Sequence, residues 1–68
     1  MNVEIAIDFQ LQDKKWMRLR LEPNPNGSWD LWDNGIVCDL IANSPTWPDI
    51  EWIRQQAQSY ANENPEWI

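Results

Sequence analysis

The side chains that could carry proton-transfer, covalent or metal chemistry in this sequence are few and scattered. There is no histidine, which removes the usual general base at neutral pH and the commonest metal ligand. Ser28, Ser44 and Ser59 have no base beside them. Cys38 is the single cysteine and falls on the inward side of an expected strand, where a thiol is usually inert. Two glycines are too few for a phosphate-cradling loop. The run Asp30-Leu31-Trp32-Asp33-Asn34-Gly35 begins like a calcium loop, but its third position is Trp32 and no glutamate stands at the twelfth. Asp30 and Asp39 could share a proton as an acid pair, yet the pattern sets them on an open sheet and not in a cleft. The expectation is a non-enzymatic protein with no cofactor and no metal.

Recognition is then the chemistry left to consider. The chain has 68 residues and six tryptophans, more indole than so small a core needs. A domain of this length buries only about 60% of the surface its unfolded chain exposes. With 43% apolar and 24% charged residues, the composition is that of one globular domain spanning 1–68. One cysteine cannot form an internal disulfide, and Met1-Asn2-Val3-Glu4 does not open like a signal peptide. A reduced, cytoplasmic setting away from membranes is expected.

The elements that must present the tryptophans follow from hydrophobic period. Val3, Ile5, Ile7, Phe9 and Leu11 alternate with polar or small residues, which predicts a strand over 3–11. Met17, Leu19 and Leu21 alternate with Trp16, Arg18 and Arg20, giving a second over 15–21. Glu22 to Gly27 is a turn cluster with two prolines. Strands over 28–33 and 36–42 flank Asn34-Gly35, a pair suited to a two-residue type I′ hairpin. That turn would set Asp30 against Asp39 and place Trp29, Leu31, Cys38 and Leu40 on one face. A helix over 47–63 is expected, with Thr46 as N-cap and Asp49 completing a capping box. Ile50, Ile53, Ala57, Tyr60 and Ala61 share its apolar side. The predicted fold is α+β, a four-stranded antiparallel sheet in the order β-β-β-β-α, with one C-terminal helix on the odd-numbered face of the first two strands.

This architecture leaves the other sheet face bare. It would carry Glu4, Ala6, Asp8, Trp16, Arg18, Arg20, Asp30, Trp32, Val37, Asp39 and Ile41. Two registers keep Leu19 and Leu31 inward. One sets Arg20 across from Asp30 and Arg18 across from Trp32, and the other sets Arg18 across from Asp30 and Trp16 across from Trp32. Either brings an arginine or an indole against Trp32, an arrangement worth about 0.5–1 kcal/mol when Arg stacks on Trp at an exposed site. Trp52 projects to the polar side of the helix, with the Trp67-Ile68 tail able to fold over it. The residues expected to meet a partner are Trp16, Arg18, Arg20, Asp30, Trp32 and Trp52.

The four strands and helix, with Trp16, Trp32, Arg18 and Arg20 on the sheet, resemble in topology the repeat unit of PUR-type and Whirly-type single-strand nucleic-acid binders. That resemblance implies a ligand module for single-stranded nucleic acid, and a sugar stacked on the indoles is a related option. Charge points elsewhere. The net charge is −6, and after Arg20 the chain has eight acidic residues against Arg54 alone. Such a field disfavours nucleic acid and suits a basic protein surface. The leading expectation is an acidic protein-interaction domain, an inhibitor or adaptor, with a homodimer through the sheet face or an edge strand as one version.

Overall fold

A computed structural model describes residues 3–35 and 38–65. The four strands are β1 (Ile5–Gln10), β2 (Trp16–Pro23), β3 (Trp29–Asp33) and β4 (Leu40–Ser44), followed by helix α1 (Ile50–Glu63). All neighbours pair antiparallel, in the order β1-β2-β3-β4. The chain is thus an α+β sheet with one C-terminal helix, as the hydrophobic periods require.

The inward rows of the strands build the core with α1. Met17, Leu19, Leu21 and Leu31 are fully buried, and Ile53, Ala57 and Ala61 close over them from the helix. The two alanines let the helix backbone sit near the sheet, so that its flanking rings, Trp52 and Tyr60, also reach the core. Ile5, Ile7 and Phe9 pack against the same cluster from β1.

The helix starts later than its pattern suggests. Asp49, not Thr46, is the N-cap, with extended backbone (φ −89°, ψ 168°) and a side chain that accepts the Trp52 N–H at 2.7 Å. Pro48 accounts for part of the shift, because a residue before proline is disfavoured in the helical region, which works against a start at Trp47. Ile50, expected in the core, is the first helical residue and remains exposed. Replacing Asp49 by alanine is expected to cost about 1 kcal/mol of stability, read as a lowered midpoint in urea denaturation. Asp49→Asn should recover most of it.

The larger correction is at β3–β4. Asn34-Gly35 does not close a two-residue hairpin, and β4 begins at Leu40 rather than at 36. Trp32 pairs with Leu40, Leu31 with Ala42, Asp30 with Asn43 and Trp29 with Ser44, with a bulge between Leu31 and Trp32. Local side chains outcompete the tight turn. The Asp33 carboxylate accepts the Gly35 N–H at 3.0 Å, an Asx turn. Asn34 stays beside β2, donating its N–H to the Arg18 carbonyl at 2.9 Å and accepting from Arg20 Nη1 at 3.0 Å. Asp30 therefore faces Asn43 and not Asp39. Cys38 and Leu40 are exposed rather than inward. Val37, expected on the bare face, lies outside the described residues, as does the Trp67-Ile68 tail.

Candidate functional site

The outer sheet face is the surface opposite α1. Its rows run across the strands. Ala6, Arg20, Trp32 and Leu40 form one, and Asp8 with Arg18 and Gln10 with Trp16 form two more. The β2–β3 register differs from both expected ones: Arg20 faces Trp32, and Glu22 faces Asp30. The slip follows from β2 running on to Pro23 before the turn, so that Pro23 pairs with Trp29. That turn is closed by Asn24 and Ser28 and uses Gly27 at φ +89°, where a side chain would be strained.

The expected site residues separate into groups. Arg20 is held on all sides. Its Nε lies 3.2 Å from Glu22 and 4.0 Å from Glu4, and its guanidinium sits 5.3 Å above the Trp32 ring. With the bond to Asn34, this leaves the Arg20 side chain only 19% exposed. Trp32 is half-buried beneath it, and its indole N–H has no acceptor among the described residues. The expected arginine–indole stack exists, but it fastens the middle of the sheet instead of presenting two free groups. Asp30 is half-buried and accepts from the Asn43 amide at 2.8 Å. Asp39 sits beyond the end of the ladder.

Trp16 and Arg18 remain on offer. Trp16 is 64% exposed. Arg18 reaches Asp8 at 3.8 Å, with both side chains largely in water. Asp8, Trp16 and Arg18 together line an open depression of about 330 Å³. Asp8 joins the site through its position opposite Arg18, which the β1–β2 register supplies.

Trp52 is not a surface outlier. It is half-buried against the core and lies on the helix side of the sheet, away from Trp16. Trp47 is the exposed tryptophan of that region, at 59%, with its ring edge-on to Trp29 at 4.7 Å.

A polar cluster that no local sequence pattern signals ties the β3–β4 connection to the helix. Tyr60 donates its hydroxyl to Asp39 at 2.7 Å, and Asp33, buried at the end of β3, lies close by. Partial burial, then the bond to Asp39 and the charge of Asp33, hold the Tyr60 proton well above the ordinary phenol range. The raised value stabilises the fold while the phenol is protonated. That contribution is full below about pH 10, the unfolded value, and is lost as pH rises past it. Tyr60→Phe should therefore lose less stability than the parent between neutral and strongly alkaline pH, a difference read from urea midpoints at each pH.

No helix among the described residues is long and apolar enough to cross a membrane. Comparison with protein-family models, with curated proteins and with solved structures finds no match to this chain.

Proposed function

We propose that this chain is a small, acidic, non-catalytic interaction domain that binds another protein through its outer sheet face. The observation that carries the proposal is Trp16, largely exposed beside Arg18 and Asp8 on a face that no described element covers. A solvated sheet face is ordinarily polar. An exposed indole set among charges has the composition of an interface anchor, where Trp and Arg are enriched. Leu40, also exposed, extends the apolar surface past Trp32.

The chemistry of the partner follows from charge. The outer rows hold Glu4, Asp8, Glu22 and Asp30 against Arg18 and Arg20, and Arg20 is already engaged. With a net charge of −6, the chain is steered toward a basic surface. An inhibitor or adaptor that occupies such a surface is the role this suits. A nucleic-acid reading fits less well: phosphate affinity needs several free cations, and this face offers Arg18 unshielded but already beside Asp8.

Capture from a lysate at low ionic strength tests the proposal, with Trp16→Ala as a parallel bait. A protein retained by the parent, released as salt rises and missing from the Trp16→Ala bait, is the expected result. Quenching of tryptophan fluorescence by single-stranded oligonucleotides, lost in Trp16→Ala, would replace this reading with the ligand-module one.

A further inference from the structure

We infer that β1 is the seam of a symmetric dimer, in which a second copy of this chain adds its own β1 antiparallel about a two-fold axis at Ile7. The two edges of the sheet are β1 and β4, and they are treated differently. The β4 edge is short, bulged and followed by Pro45. Asn43 folds its amide back onto Ser28, the Trp29 carbonyl and Asp30. These features blunt an edge against further pairing. The β1 edge has none of them. It is six residues long, without proline, lysine or bulge.

The core also stops short at β1. The inward residues of β2 are fully buried, whereas Ile5, Ile7 and Phe9 remain half-buried on the same side of the sheet. An additional strand beside β1 would complete that row. The carboxylates along the edge do not forbid it, because Asp8 is paired with Arg18 and Glu4 with Arg20.

Charge then selects the register and, with it, the occupant. A shift of one residue would turn the apolar row outward. Centring the axis on Ala6 sets Glu4 against Asp8 of the other copy, and centring it on Asp8 sets that carboxylate against itself. Like charges directly opposite are destabilising. Axes at Ile5 or Phe9 avoid this but pair at most half of the strand. The axis at Ile7 pairs five of the six strand residues, Ile5 with Phe9, Ala6 with Asp8 and Ile7 with itself, and sets Gln10 against Glu4 just before the strand, with no like charges opposed. β1 is therefore complementary to itself in one register that spans nearly the whole strand.

Sedimentation equilibrium of the full chain, from micromolar to millimolar concentration and at moderate salt to screen the net charge, tests this. A reversible monomer–dimer equilibrium is expected. Ala6 is exposed, so Ala6→Glu should leave the monomer's circular dichroism unchanged while weakening the dimer about tenfold, as it opposes Asp8 twice. Ala6→Gln, of the same size without the charge, should leave the dimer close to that of the parent. A monomer at every concentration, a dimer indifferent to Ala6→Glu, or one weakened as much by Ala6→Gln overturns the inference. The readout is the oligomeric state alone, so it stands or falls separately from partner binding at Trp16.

Discussion

Replacing Leu31 by alanine is expected to leave a large fraction of the chain unfolded at room temperature. Leu31 lies in β3, an inner strand, fully buried between its partners Leu21 and Ala42 and beneath the helix. Truncating such a side chain removes its transfer energy and leaves a cavity, typically about 2–5 kcal/mol. At roughly 0.05–0.15 kcal/mol per residue, a chain of 68 residues has only about 3–10 kcal/mol in total. The loss is therefore comparable to the whole. Urea titration followed by tryptophan fluorescence should show Leu31→Ala without a clear native baseline, and Leu31→Ile or Leu31→Met retaining one. A cost below about 1 kcal/mol would place Leu31 outside the core.

Trp16→Ala is expected to have the opposite profile, with little effect on folding and a large one on binding. Most of the Trp16 side chain is in water, so its removal gives up little burial. Surface substitutions of this kind usually stay within about 0.5 kcal/mol. At an interface, an anchoring tryptophan costs about 2 kcal/mol or more when truncated, close to a thirtyfold loss of affinity. Arg18→Ala should act in the same direction but less strongly, because its pairing with Asp8 already spends part of its charge.

The sequence made the fold class and most of the core readable, because period-two alternation in β1 and β2 and the Ile53-Ala57-Ala61 stripe are signals strong enough to survive packing. The site was readable only in part. Trp16 and Arg18 face outward as alternation demands, and so does Asp8. The departures from pattern lie at the connections between elements, where local side chains and prolines set the path of the chain. Asp33 and Asn34 redirect the connection after β3, which moves Cys38 and Leu40 to the surface and separates Asp30 from Asp39. The helix begins only at Ile50, capped by Asp49, so Ile50 stands exposed in its first turn, while Trp52 flanks the Ile53-Ala57-Ala61 stripe closely enough to reach the core. The Tyr60–Asp39 bond spans 21 positions and depends on how the helix lies over the end of β3, information that no local pattern holds.

The five tryptophans among the described residues consequently divide by role more sharply than their number suggests. Trp29 and Trp52 support the core, and Trp32 underlies Arg20. Trp16 and Trp47 are comparably exposed, on the outer face and beside the helix start respectively.

That pair supplies the most direct test. The captured partner should be titrated calorimetrically with the parent chain, Trp16→Ala and Trp47→Ala, each first shown to be folded by circular dichroism. A loss of affinity of about thirtyfold for Trp16→Ala, with Trp47→Ala within a factor of about two of the parent, is the predicted result. Equal losses in both variants, or a loss confined to Trp47→Ala, would contradict the assignment of binding to the outer sheet face.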